Sequence, residues 1–203
     1  CYFLRHEESQ PYLKALAHLR DQGAGIRLIR EPCVCRLTET LTAGIFLEDE
    51  TLRRRQAAIW EDALSGAAGG GDLEALDGFI NNTSIRLRLS CPGQEIELPG
   101  DVYASCWEQH QLPPCTIMKL PHHGHGDALT PRLLEMLRPR YAVISVSDDR
   151  TDDCPSRKIL RLLSQLGVEC FFTDAVPCQH TQAQPHLAIR FQIEEGALKV
   201  LNV

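Results

Sequence analysis

Three histidines and an aspartate crowd into one short stretch of this sequence, Pro121-His122-His123-Gly124-His125-Gly126-Asp127. Neutral imidazole presents a nitrogen lone pair near neutral pH, which makes histidine the commonest metal ligand. Glycine lets a backbone turn closely around an ion or a bound oxyanion. The same residues also describe a polar turn rich in His and Gly, and the segment alone leaves both readings open. Upstream stands Leu98-Pro99-Gly100-Asp101. An aspartate on a glycine turn just past a strand aims its carboxylate into a loop cluster, where two oxygens can bridge two cations. A plain type II turn explains the same residues. A third segment, Ile80-Asn81-Asn82-Thr83-Ser84-Ile85, opens an alternating strand. Asn and Ser side chains bond nearby backbone at strand starts, and they can also orient a substrate oxygen or a water.

The elements around these segments follow from periodicity and punctuation. Ile85, Leu87 and Leu89 alternate with Arg86, Arg88 and Ser90, the pattern of a half-buried strand. Ile96 and Leu98 alternate similarly, and Ile117 to Leu120 reads as a short strand that ends at Pro121. Thr130-Pro131 starts a helix, with Thr as cap and Pro at the first helical position; Leu133, Leu134 and Leu137 form its apolar face. Tyr141 to Val146 is nearly all apolar and reads as a strand covered on both faces. A second helix opens at Pro155, with Ile159, Leu160, Leu162, Leu163 and Leu166 apolar and Gly167 as its stop. Val168 to Thr173 is the next buried strand, and a hairpin closes around Glu194-Glu195-Gly196.

The first third is less regular. A helix follows Ser9-Gln10-Pro11, with His18 on its exposed side and Gly23 and Gly25 as its end. Short strands are expected at Ile26 to Ile29 and near Leu41 to Leu47. Residues 50–77 read as an insertion, with a helix led by Arg53, Arg54 and Arg55 and then a flexible Gly/Ala-rich loop at 66–72.

Composition sets the bounds. The 203 residues are enough for one good-sized core, and the whole chain reads as a single domain. A net charge of −6 disfavours nucleic-acid binding through a broad basic surface, although a phosphodiester handled at a metal centre needs no such surface. No apolar run approaches the roughly 20 residues of a membrane helix, and no signal peptide is visible. A cytoplasmic setting is expected. The nine cysteines are odd in number and contain no CxxC pair, so most read as buried free thiols in a reducing compartment. A metal site at Cys33-Val-Cys35 is the minor alternative.

Taken in order, Asn-Asn-x-Ser before a strand, a strand ending in Pro-Gly-Asp101, and Met-Lys-Leu-Pro-His122-His123-Gly resemble the ComEC/Rec2-like branch of the metallo-β-lactamase fold. Leu137-Arg-Pro-Arg-Tyr-Ala-Val-Ile-Ser145 and Phe171-Phe-Thr-Asp174 extend the likeness, which is good over residues 79–175 and loose elsewhere. Cys154-Pro155 falls where the family has His-Pro, and His125 stands where it has Ser.

The resemblance implies an αββα four-layer sandwich holding one or two divalent metal ions, zinc ahead of manganese. It implies Asp101 as the bridging ligand, one of His122 and His123 as a second ligand and the other as a substrate-side proton donor, with His122 ahead as the ligand and His123 as the donor, and Asn82 and Ser84 lining the site. The implied activity is hydrolysis of a phosphodiester, in a small molecule or a nucleic acid, by hydroxide generated at the metal. The family's principal His-x-His-x-Asp-His motif is absent from the sequence, and the chain starts at Cys1. The expectation is therefore a domain incomplete at its N-terminus, with only two ligands, weak metal binding and no turnover as it stands. A non-catalytic binding or scaffold module is the alternative.

Overall fold

The computed structural model describes residues 10–25, 29, 31–47, 51, 53–55, 58, 81–146, 154–173 and 188–202. The fold is mixed α/β, built on a seven-stranded mixed sheet whose spatial order follows the chain. Helix α1 (Gln10–Asp21) comes first. Strands β1 (Cys33–Arg36), β2 (Thr42–Phe46), β3 (Arg86–Cys91) and β4 (Gln94–Leu98) form an antiparallel run. The short helix α2 (Ala104–Trp107) follows, and then β5 (Ile117–Lys119), α3 (Pro131–Leu137), β6 (Tyr141–Ile144), α4 (Arg157–Gln165) and β7 (Glu169–Phe172). From β4 to β7 all pairings are parallel. Strands β8 (Ile189–Glu194) and β9 (Ala197–Asn202) make a separate antiparallel hairpin.

Each face of the sheet has its own cover. On one face Met118, Ala142, Ile144 and Phe172 pack with Leu133, Leu134 and Leu137 of α3 and Ile159, Leu160 and Leu163 of α4. On the other, Ile117, Tyr141 and Phe171 pack against Ile189, Phe191, Leu198 and Val200 of the hairpin. Strands β5, β6 and β7 are thus covered on both sides, as their near-continuous apolar sequences require. Burying each large apolar side chain in these layers stabilises the fold by about 1.5–3 kcal/mol before entropy is counted. Helix α3 starts where its cap predicts: Thr130 Oγ1 accepts the Leu133 amide at 3.2 Å. Helix α4 begins two residues after Pro155, and Leu166, just past its end, is exposed rather than part of the apolar face.

Strand β3 alternates as expected but buries the opposite face. Arg86 and Arg88 are the buried residues and Ile85 is exposed. The reason lies on β4, where Glu97 pairs beside them and is itself fully buried. Arg86 Nη1 and Arg88 Nη1 donate to the two Glu97 oxygens at 3.1 and 2.9 Å. Arg88 Nε donates to Glu95 at 2.9 Å, and its remaining donors reach the Pro113 and Pro114 carbonyls. The Arg86 guanidinium lies 4.4 Å from the Phe46 ring centre, a favourable cation–π placement. Buried charges persist when they are paired and hydrogen-bonded in this way. Burial raises the Glu97 carboxyl above its ordinary pKa, and the two arginines pull it back down.

One further expectation is corrected. Of the seven cysteines described, only Cys115 is buried; Cys33, Cys35, Cys91, Cys106, Cys154 and Cys170 are half-buried. Cys33 and Cys35 lie in an outermost strand, where part of each side chain stays in contact with solvent. Residues 26–28 of the expected Ile26 to Ile29 strand lie outside the described residues, and Ile29 is not in a strand; most of 50–77 also lies outside, and within it residues 51, 53–55 and 58 are helical.

Candidate functional site

Strands β4 and β5 end at one edge of the sheet, β6 ends beside them, and antiparallel β3 begins there. The C-terminal ends of parallel strands are where open α/β sheets place ligands, because the chain must leave the sheet there and the loops can diverge. This edge receives Asn81, Asn82 and Ser84 ahead of β3, Asp101 after β4, residues 121–127 after β5, and Ser145 after β6. Four segments separate in sequence thereby meet.

Direct contacts lock them together. Ser84 Oγ accepts the Asp101 amide at 3.1 Å, and Asn82 Oδ1 accepts the Tyr103 amide at 3.2 Å. Gly100 has φ of 69°, and a Cβ there would meet Ser84 Cβ at 2.9 Å, so only glycine permits this approach. The His122 amide donates to Gly100 O at 3.3 Å. Asn81 Nδ2 donates to the Tyr103 hydroxyl at 3.2 Å and faces His122 Nε2 at 3.4 Å.

The histidine loop is held in an uncommon shape. After β5 a tight turn spans Pro121–Gly124, and His122 (φ 44°), His123 (φ 53°) and Gly124 (φ 80°) are all left-handed. For a side-chain-bearing residue this conformation costs about 1–2 kcal/mol, so the surroundings must enforce it. They do so at several points. The Ser156 amide donates to Gly124 O at 2.8 Å, and the Ala104 amide donates to Asp127 O at 2.9 Å. A Cβ on Gly124 would strike Leu120 Cδ2 at 2.8 Å, so the turn sits flush against its supports. Strain enforced by neighbours is characteristic of sites that must aim particular groups.

Two chemically different clusters result. In the first, Asp101 Oδ1 lies 3.7 Å from Lys119 Nζ and 3.9 Å from His123 Nε2. The Nδ1 of His123 donates to the Ser145 carbonyl at 2.7 Å; this fixes its proton there and leaves Nε2 directed toward Asp101. In the second, Asp127 Oδ1 lies 3.1 Å from His122 Nδ1 and 3.0 Å from His125 Nδ1. The His122 contact is a hydrogen bond. The His125 nitrogen is buried yet makes no hydrogen bond, because it approaches the carboxylate off the hydrogen-bonding direction. One ligand atom from each of His122, His125 and Asp127 lies within 4.8 Å of the other two. Two imidazoles and a carboxylate are a donor set that zinc takes in hydrolases.

No protein-family model and no curated protein matches the chain. The sequence and this geometry therefore carry the functional reading by themselves.

All five residues singled out in the sequence reach this edge. His123 and Asp101 face each other, Ser84 and Asn82 anchor the backbone around Asp101, and His122 turns instead toward His125 and Asp127. Asp101 is not part of that second group. Asp127 and His125 were not read as ligands, although the spacing His122-x-x-His125-x-Asp127 was available as a signal. Cys154, where the resembled family has histidine, lies behind the loop, its thiol donating to His122 O at 3.8 Å. Among the described residues no helix is long and apolar enough to cross a membrane.

Proposed function

We propose that the protein is a metal-dependent hydrolase acting on a phosphodiester, on a metallo-β-lactamase-type αββα sandwich to which this sheet and its helices belong. The observation that carries the reading is Asp101 set against Lys119 and His123 at the edge where parallel strands end, beside a histidine-rich loop. A divalent cation, zinc ahead of manganese, would supply Lewis-acid activation of water and of a phosphoryl oxygen. Of the two ligands the resemblance assigns to it, Asp101 stands in this cluster, whereas His122 turns toward His125 and Asp127.

The remaining roles belong to the chain. Asp101, held by its amide to Ser84, orients the attacking water and the positive groups around it. His123, with Nδ1–H tied to Ser145 O, gives the leaving alkoxide a proton from Nε2 when both ring nitrogens are protonated, and returns to the neutral ring that keeps its proton on Nδ1. Lys119 places a positive charge where negative charge builds on the phosphoryl oxygens. Asn82, through the Tyr103 amide, keeps the loop after Asp101 in register.

A second reading, a non-catalytic module, draws on Cys154, whose thiol replaces an imidazole that the resembled family has there. The test is hydrolysis of bis(4-nitrophenyl) phosphate by the full-length protein, because the resemblance implies no turnover from Asp101 and His122 alone. The hydrolase reading expects turnover that a chelator abolishes and zinc or manganese restores. Absence of turnover under all metals, with the fold intact, supports the module instead.

A further inference from the structure

We infer that His122, His125 and Asp127 form a cation site of their own, complete within a single loop, that takes one zinc-like divalent ion. The inference does not depend on the hydrolase reading, because it concerns binding and none of its ligands lies outside residues 121–127.

The geometry favours an ion over a hydrogen-bonded cluster. Zinc–nitrogen and zinc–oxygen bonds of about 2.0–2.1 Å in a tetrahedron put neighbouring ligand atoms about 3.3 Å apart. Asp127 Oδ1 already stands 3.1 and 3.0 Å from the two Nδ1 atoms. A hydrogen-bonded cluster would aim both nitrogens at the carboxylate. Here only His122 does so, while the buried Nδ1 of His125 has no hydrogen-bond partner. Leaving a buried polar atom unpaired costs about 1–3 kcal/mol, a cost that a metal bond removes.

The loop's shape points the same way. Left-handed geometry at His122 and His123 brings His122 alongside His125, with ring centres 4.9 Å apart, in a segment whose backbone is pinned at Gly124 and Asp127. Asn81 completes the arrangement. When Nδ1 of His122 takes a metal, its proton moves to Nε2, and the Asn81 amide 3.4 Å away can turn its oxygen to accept it. The donor set of two nitrogens and one oxygen favours zinc, cobalt or iron(II) over magnesium or calcium, which prefer all-oxygen shells. With three protein ligands, a fourth position stays open for water, phosphate or carboxylate.

The experiment is metal titration of the intact, chelator-stripped protein by calorimetry, with Co²⁺ visible absorption as a second readout. Wild type is compared with His125→Ala, Asp127→Asn and Asp101→Ala. The proposal expects His125→Ala and Asp127→Asn each to lose one equivalent of zinc, or to weaken it at least 10-fold, and to lose the matching part of the cobalt spectrum. Asp101→Ala should keep that equivalent, and Mg²⁺ should not compete for it. Zinc stoichiometry and affinity unchanged in both loop variants would overturn the site. So would loss of this equivalent in Asp101→Ala alone, which would locate the ion at the Asp101 cluster and leave the hydrolase reading standing. If either loop variant fails to fold, the other decides by the same criteria.

Discussion

Glu97 and Asp101 stand at the two ends of one short segment, the last turn of β4 and the loop beyond it, and their carboxylates meet different surroundings. Glu97 is wholly enclosed, with both oxygens accepting from guanidinium groups at 3.1 and 2.9 Å. Asp101 keeps 39% of its side chain exposed, and its neighbours Lys119 and His123 stand at 3.7 and 3.9 Å, beyond hydrogen-bond distance. The contrast continues in the backbone: β3 and β4 are regular ladder, whereas the loop facing Asp101 has consecutive left-handed residues. A charge that is enclosed and satisfied holds the fold together. A charge that is half-open, with basic side chains near but not bonded, is available to something that arrives.

The largest effect separating the two should come from Glu97→Ala. It leaves two buried guanidinium groups without their shared partner, and about 3–5 kcal/mol of stability should be lost, read by urea unfolding. Since a domain commonly has only about 5–15 kcal/mol in total, partial unfolding at room temperature is an acceptable form of this result. A loss below 1 kcal/mol would show that the cluster is solvated and would dissolve the contrast.

Alkali should probe the same buried side. Burial, with the nearby Glu97 charge adding to it, pushes the Cys115 thiol from 9.0 up to about 12. The folded protein therefore keeps this proton while the unfolded chain releases it. The thiol's contribution to stability is complete below about pH 9 and is lost as pH rises toward 12, on the order of 2 kcal/mol by about pH 10.5. Cys115→Ala should flatten that part of the stability–pH curve. An unchanged slope would contradict the assignment.

The smallest change in stability is expected on the open side. His123→Gly relieves left-handed strain of about 1–2 kcal/mol and gives up the hydrogen bond to Ser145 O and some unfolded-state restriction. The sum should lie within about 1 kcal/mol of wild type, while phosphodiester hydrolysis falls about 100-fold or more. Stability lost on the scale of Glu97→Ala would make His123 a structural residue.

Much of this was legible in the sequence, and the gaps have physical causes. The helix cap at Thr130, the short strand β5, the buried strands β6 and β7 and the closing hairpin follow from local patterns, and they formed where those patterns put them. The convergence of Ser84, Asp101 and His123 was readable because each segment follows or precedes a strand at the same edge. Strand β3 was misread because alternation says which residues share a face but not which face is buried. The complementary pattern Glu95-Ile96-Glu97 across the Pro92-Gly93 turn would have shown that the arginines had buried partners. The pairing of His122 with His125 and Asp127, rather than with Asp101, depends on φ angles of 44° and 53° at two histidines. Histidine enters left-handed backbone more readily than most residues, but still uncommonly, so the spacing offers these three residues as ligands while their pairing becomes visible only in three dimensions.

The most direct test of the central claim is Asp101→Ala in the metal-restored phosphodiester assay, with melting temperature measured alongside. The account predicts a fall in turnover of at least about 100-fold, with stability within about 0.5 kcal/mol of wild type, as expected for a half-exposed side chain. Undiminished hydrolysis by a folded Asp101→Ala protein would contradict it.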